Sequence, residues 1–307
     1  MNQLKRMQQK AAPWITGAFH TSPTGSLEAL AGLIPVHLML KKLATCAVYH
    51  VATLLDTHPL RSMMGKRLLK WAEPHTHSAA LMTPAIFEPF VPEAHPGDWL
   101  LDRFVDRVHF DKRDPTQDRR PYLDELIMKA RADPLTVLAA TDGSVPQSNQ
   151  YQAALAAIIY KGHRELKRTC YVSGRVTAPD VELNAIMCAV RLAVKQANCQ
   201  HIMVFTDSIG SAHRAVDPSV HSGQAFSLSV CCTLQEWFEV DDLHRITFIY
   251  IPSALQWDIH GEAQKYVTDL KVRVGRCKTD NSIDTLCSRA AHSVLDLWSS
   301  TFQDPTY

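Results

Sequence analysis

No run of about 18 uninterrupted apolar residues occurs in this sequence, so it offers no candidate membrane-spanning helix. The opening stretch MNQLKRMQQKAAPW has basic side chains but lacks the apolar centre of a secretory signal. The cysteines at 46, 170, 188, 199, 231, 232, 277 and 287 include no CxxC and no paired spacing of a zinc module. A reduced intracellular compartment, nucleus or cytoplasm, with no membrane partner, is therefore expected. An excess of charge is missing too: 32 Lys and Arg face 31 Asp and Glu. A polyanionic partner would have to be held by local patches rather than by a global field. There is no internal repeat and no low-complexity tract.

What the chain has is an ordinary globular composition, 46% hydrophobic and 21% charged over 307 residues, enough for two domains with cores of their own. Residues 1–72 carry apolar side chains at helical spacing, with Ser22 and Thr24 as cap candidates and Pro35 separating two helical pieces. Residues 73–129 are polar and rich in proline (FEPFVPEAHPGDW, KRDPTQDRRPY) and read as an irregular linker. Residues 130–275 alternate short β-like runs with helices, and 276–307 read as a helical tail.

The order of elements in the 130–275 block is specific. VLAATDGS (137–144), QAALAAIIY (152–160) and RTCYVSGRV (168–176) read as three strands linked by hairpins. A helix over 178–197 enters through Pro179 and Asp180 and shows an apolar stripe at 181, 185, 186, 189, 190 and 193. Then come a strand, HIMVFTDS (201–208), a helix around 223–238, a strand, RITFIYIP (245–252), and a helix over 258–272. The expectation is an α/β fold, a five-stranded mixed sheet with flanking helices, preceded by a small helical region.

Two of these strands end on a carboxylate. Asp-Gly after an apolar run is also common turn chemistry, so Asp142 in TDGS says little by itself. Downstream, however, Glu182 falls in the first turns of the long helix and Asp207 ends another strand. If the strands ending in Asp142 and Asp207 are neighbours, both aspartates emerge at one edge and the helix can bring Glu182 over them. Three carboxylates that close repel one another by several kcal/mol when partly desolvated, and divalent cations relieve this. Hard oxygen ligands suit Mg²⁺ or Mn²⁺, completed by water and substrate phosphate. The chemistry suggested is metal-assisted phosphodiester hydrolysis.

The ordered trio TDGS, VELNA and FTDS, on strand, helix and strand, resembles the type 1 ribonuclease H domain over roughly residues 130–275, with forty residues from Asp142 to Glu182 and twenty-five more to Asp207. The resemblance implies a ribonuclease H-like five-stranded mixed sheet. It also implies two-metal (Mg²⁺ or Mn²⁺) hydrolysis of the RNA strand of RNA–DNA hybrids, with Asp142, Glu182 and Asp207 as metal ligands. Ser144, Asn184 and Ser208 are the residues it suggests for substrate contact, Asn184 toward the hybrid minor groove, where the 2′-OH distinguishes RNA. The segment ITGAFHTSPTGSLEALAGLIPVHLMLKKLA is similar to the tail that follows the polymerase core in LINE-type (non-LTR) reverse transcriptases, which in fungal elements leads into a ribonuclease H domain. No YxDD-like polymerase signature accompanies it.

At the fourth acid the sequence departs from that pattern. The family closes its site with an Asp on the last helix, in a motif like PSHxGIxGNExAD. Aligned without gaps from Pro252 and Ser253, IPSALQWDIHGEAQKYVTD puts Ala254 at the loop histidine and Gln264 at the fourth acid. Glu262, taken here as a catalytic candidate, and Asp258 are nearby substitutes, and His260 is a substitute for the loop histidine. Gln264 supplies an oxygen but no charge, so one metal should bind more weakly, turnover should fall, and Mn²⁺ should be favoured over the geometrically stricter Mg²⁺. The alternative is a degenerate module that binds nucleic acid or protein without cutting.

Other features have plain readings. Lys161, Arg164, Lys167 and Arg168 make a basic cluster, by default a solvated face and alternatively a phosphate contact. The histidines of EPHTH read as surface residues, Cys231 and Cys232 as core residues, and CKTDNSIDTLCSRAAH as an amphipathic helix.

Overall fold

The computed structural model describes residues 2–19, 21–54, 58–60, 99–111, 118–145, 153–174, 176–270 and 282–301. The chain divides into two compact units, Met1–Phe87 with Ile283–Tyr307, and Glu88–Ser282. EPHTH and residues 277–281 lie outside the described residues. No helix among the described residues is long and apolar enough to cross a membrane.

The first unit is helical: α1 (Asn2–Thr16), α2 (Thr24–Leu30), α3 (Val36–Ala52) and the C-terminal helix Ile283–Thr301, which packs on α3. Leu38 and Tyr49 of α3 are buried, as are Ile283, Leu286 and Val294. Helix α2 follows Pro23 without a side-chain cap, so neither Ser22 nor Thr24 serves as one. It ends in a Schellman motif. Gly32 takes φ 66°, its N–H donates to Ala29 O at 3.0 Å, and Leu33 N–H reaches back to Glu28 O at 2.8 Å. Pro35 then opens α3, as its place in the sequence implies.

The second unit is a mixed α/β sheet with helices on both faces. In chain order it contains α4 (Leu100–Arg103), β1 (Val108–Phe110), α5 (Arg119–Ala132), β2 (Thr136–Ser144), β3 (Ala153–Lys161), β4 (Arg164–Gly174) and α6 (Ala178–Ala193). It continues with β5 (His201–Thr206), α7 (Ile209–Ala215), α8 (Gln224–Val240), β6 (Arg245–Tyr250), a 3₁₀ turn at Ser253–Leu255 and α9 (Asp258–Thr268). The strand order is β1-β6-β5-β2-β3-β4. Strands β2, β3 and β4 form an antiparallel meander, while β1, β6, β5 and β2 run parallel. The meander turns at Gly162 and His163, between the paired residues Lys161 and Arg164, with Gly162 at φ 58°.

The mixed sheet with flanking helices is as expected, but it has six strands rather than five. The sixth, β1, and helix α5 both fall in the stretch read as linker. Three residues, VHF, are too few for alternation to show in a sequence. Helix α5 has a proline at 121, in its first turn, where it is tolerated. Its start is capped by Asp118, whose side chain accepts from Arg120 N, and Leu123, Ile127 and Ala130 form its buried face. A half-buried polar cluster ties these additions to the sheet. Arg119 pairs with Asp111 and donates from Nε to Tyr250 O at 3.1 Å, while Tyr122 donates to Asp111 at 3.0 Å.

Alternation along β2 decides which helix meets which side chain. Val137 and Ala139 pack with Ile186 and Val190 of α6 and Leu234 of α8 on one face. Leu138 and Ala140 pack with Leu123 and Ile127 of α5 and Ala263 and Val267 of α9 on the other. Asp142 is in phase with Leu138 and Ala140, so it emerges on the side of α9.

Candidate active site

Strands β2 and β5 are parallel neighbours, with Ala140 opposite Phe205. Two residues further along each chain stand Asp142 and Asp207, level with each other at one edge of the sheet. Thr141 fastens the two strands just before that point, its hydroxyl donating to Phe205 O at 3.2 Å. The third acid comes from α6, whose start is held by several polar contacts. Asp180 accepts from Thr177 Oγ1 at 2.8 Å and from Ser222 Oγ at 3.0 Å, and Ser211 Oγ donates to Pro179 O at 3.0 Å. From this anchored turn Glu182 leans over the end of β2, where its Oε1 accepts from Gly143 N at 2.7 Å.

The electrostatics follow from burial of like charges. Burial, and then the charge of Asp207, push the Asp142 carboxyl up to about 7. Glu182 is raised well above the usual carboxylate range by burial and by both aspartates. Burial also raises Asp207. Glu182 Oε2 is buried without a hydrogen-bond partner.

The residue that completes the group is His260, the third residue of α9. It is fully buried, and one of its ring nitrogens and one carboxylate oxygen each of Asp142 and Asp207 lie within 4.8 Å of one another. Neither ring nitrogen has a hydrogen-bond partner, and burial lowers the imidazole to about 4, so it is neutral near pH 7. The orphaned nitrogens and Glu182 Oε2, together with three carboxylates that repel when ionised, fit a divalent cation. Asp142, Asp207 and His260 would hold it, with Glu182 beside them.

The other fourth-position candidates are placed elsewhere. Glu262 is exposed and accepts a short hydrogen bond from Tyr160 OH. Tyr160 is opposite Leu138, whereas Asp142 is opposite Ala156, about 13 Å along the strand at 3.3 Å per residue. Asp258 pairs with Arg131 at 2.9 Å. Helix α9 runs from the acids toward β4, where Tyr266 O accepts from Cys170 Sγ at 3.9 Å, so half-buried Gln264 lies a turn beyond His260. The ungapped reading puts Gln264 at the fourth position; the side chain that the structure brings within reach of Asp142 and Asp207 is that of His260, four residues earlier. The signal for His260 was a histidine four residues before that position, on the same helical face.

The expected substrate residues are engaged structurally in two cases of three. Asn184 is buried, donating to Ser173 Oγ at 3.0 Å and accepting from Tyr171 OH at 2.9 Å. Ser208 caps α7, accepting from Ser211 N. Ser144 ends β2, half-buried. In the basic cluster, Arg168 pairs with Glu165 and lies over the Tyr266 ring at 4.9 Å, and Lys161 donates to Ala197 O at 2.9 Å. Arg164 and Lys167 are exposed. Arg164 is six residues along β4 from Cys170, the level of the acids, hence about 20 Å away. Of the cysteine pair read as core, Cys231 is half-buried and Cys232 exposed on α8.

No protein-family model matches the chain, and no curated protein matches it. Among solved structures it is similar to ribonuclease H1 of the halophilic archaeon Halobacterium salinarum, at 16% identity and a TM-score of 0.33 over 44% of this chain and 96% of that one. It is similar also to LC11-RNase H1 in complex with an RNA/DNA hybrid, at 14% identity and a TM-score of 0.32 over 43% of this chain and 94% of that one. A third is the protease-reverse transcriptase of prototype foamy virus, at 17% identity and a TM-score of 0.36 over 47% of this chain and 22% of that one.

Proposed function

We propose that this chain hydrolyses the RNA strand of RNA–DNA hybrids with divalent cations, as a ribonuclease H-type endonuclease. The observation that carries the reading is the convergence of Asp142, Glu182 and Asp207 from β2, α6 and β5 at one sheet edge, with Glu182 Oε2 left unpartnered. Bound there, Mg²⁺ or Mn²⁺ would supply the Lewis acidity that activates water and steadies the leaving 3′ oxygen. The protein's part is positioning. Gly143 N–H fixes one oxygen of Glu182 and leaves the other without a partner. The packing of α9 on β2 keeps water from the buried side of the site.

His260 in place of a fourth carboxylate favours a second reading, a slow or inactive enzyme that still binds hybrid. In either case we infer that residues 1–72 are the tail of a LINE-type reverse transcriptase and that the chain is part of, or descends from, a retroelement polyprotein. This rests on the resemblance of residues 10–70.

The test is cleavage of an end-labelled RNA–DNA hybrid in Mg²⁺ and in Mn²⁺, beside duplex DNA and duplex RNA of the same sequence. Cleavage of the hybrid RNA strand alone, lost in Asp142→Asn, supports the proposal. Cleavage that persists in Asp142→Asn overturns the site, and retention of the hybrid without cleavage moves the chain to the second reading.

A further inference from the structure

The fourth position of this site is occupied by an imidazole, and that changes which ion it suits. His260 is on α9, which packs against β2 on the face from which Asp142 emerges. Both ring nitrogens are buried without a partner. Burying even one unpaired polar group costs a few kcal/mol, and here both nitrogens are buried without a partner, one of them within reach of the two aspartates. The anchoring of α9 makes the arrangement a built one. Trp257 just before it is buried and donates to Asp124 Oδ1 at 2.6 Å, Asp258 is clamped by Arg131, and Ala263 and Val267 pack into the core.

The spacing is that of a coordination shell before the ion arrives. Ligand atoms bound to one ion at 2.0–2.1 Å are at most about 4.2 Å apart, and the three groups here lie within 4.8 Å of one another. Small side-chain rotations close that gap. Mg²⁺ prefers oxygen throughout and retains its waters, whereas imidazole nitrogen binds first-row transition ions more strongly.

We propose that His260 is a nitrogen ligand to the ion held by Asp142 and Asp207, and that it makes this site select a first-row transition ion such as Mn²⁺ over Mg²⁺. The inference rests on the reading of the acids as a metal site given above, and it replaces a weakened oxygen site at Gln264 as the reason for a Mn²⁺ preference.

The test needs no nucleic acid. Mn²⁺ is titrated into the full chain and the bound fraction followed by electron paramagnetic resonance, with pulsed measurement of hyperfine coupling to nitrogen. The expected result is a bound ion with directly coordinated nitrogen and a coupling that changes when the protein is grown with heavy-nitrogen histidine. Mg²⁺ should displace the ion only at large excess. His260→Gln should lose the coupling and bind Mn²⁺ more weakly by on the order of 10-fold or more. His260→Asp should keep the ion, lose the coupling and bring the two ions closer in affinity. The histidine-labelling arm, together with loss of binding in Asp142→Asn, decides the matter even if the His260 variants fold poorly.

Absence of Mn²⁺ binding, binding without nitrogen coupling, a coupling unchanged in His260→Gln, or displacement by equimolar Mg²⁺ would each overturn the proposal. Nitrogen-coordinated Mn²⁺ in a protein that cuts no hybrid sustains it and overturns catalysis. Hybrid cleavage by a protein whose Mn²⁺ shows no nitrogen does the reverse.

Discussion

The backbone N–H of Gly143 and the Glu182 carboxylate meet at 2.7 Å, and a side chain at residue 143 would crowd that crossing. A Cβ on residue 143 would stand 2.7 Å from Val181 Cγ1 and 2.8 Å from Glu182 Oε1. Gly143→Ala must therefore displace the Val181 and Glu182 side chains from these positions. We expect a stability loss of about 1–3 kcal/mol and a fall in hybrid cleavage of tenfold or more, roughly 1.4 kcal/mol in the transition state. Thermal unfolding and single-turnover cleavage measured together decide it; unchanged cleavage would show that Glu182 does not act from this position.

Asp142→Asn separates the role of the charge from its cost. In the folded, metal-free protein the Asp142 carboxyl is raised to about 7 from 3.8. A raised acid favours folding relative to its ionised state only below the unfolded value, and that advantage is lost as pH climbs from about 4 through 7. At pH 8 the buried charge costs on the order of 4 kcal/mol, which the amide does not incur. In chelator, Asp142→Asn should melt above the wild type at pH 8, with the difference shrinking toward pH 4, while cleavage in metal is abolished. A melting temperature below the wild type at pH 8 would contradict the assignment of strain to this carboxylate.

How much of this was legible depended on whether the signal was local. Strand β2, α6 and β5 each carry clear apolar runs, so their order and the three acids could be read directly, whereas the parallel pairing that brings Asp142 beside Asp207 entered only as a condition and is supplied by the structure. Strand β1 has three residues and α7 seven, too short for either period to register. Helix α5 was hidden by the prolines around it. The identity of the fourth group was illegible for another reason. Which face of α9 meets Asp142 is set by Trp257 and Asp258 locking onto α5, a tertiary contact over more than a hundred residues.

Asn184 illustrates the same limit from the substrate side. Its place two residues after Glu182 suggested a contact with hybrid, but its amide bridges Tyr171 and Ser173 on β4. Asn184→Ala leaves those hydroxyls short of a partner and should cost about 1–3 kcal/mol of stability, with KM for the hybrid within about twofold of wild type. A raised KM at unchanged melting temperature would return Asn184 to the substrate.

The last prediction compares the three residues of α9 that compete for the fourth position. His260 faces Asp142 and Asp207, Glu262 is held by Tyr160, and Gln264 lies a turn farther toward β4. A carboxylate at 260 adds the charge that the imidazole withholds, so His260→Asp should raise Mg²⁺-dependent cleavage by about tenfold or more if the missing charge is worth roughly 1.4 kcal/mol in the transition state. Gln264→Asp, which an alignment alone would favour, should leave the rate within about twofold, because the group within reach of the pair is His260, a full turn nearer the start of α9. Glu262→Gln should also leave it there, while losing about 1 kcal/mol of stability with the Tyr160 bond. Cleavage rates of the three variants in Mg²⁺ at one pH separate the alternatives. A gain confined to Gln264→Asp would mean that α9 is shifted by about a turn along its axis relative to this structure, and a loss confined to Glu262→Gln would make Glu262 the ligand.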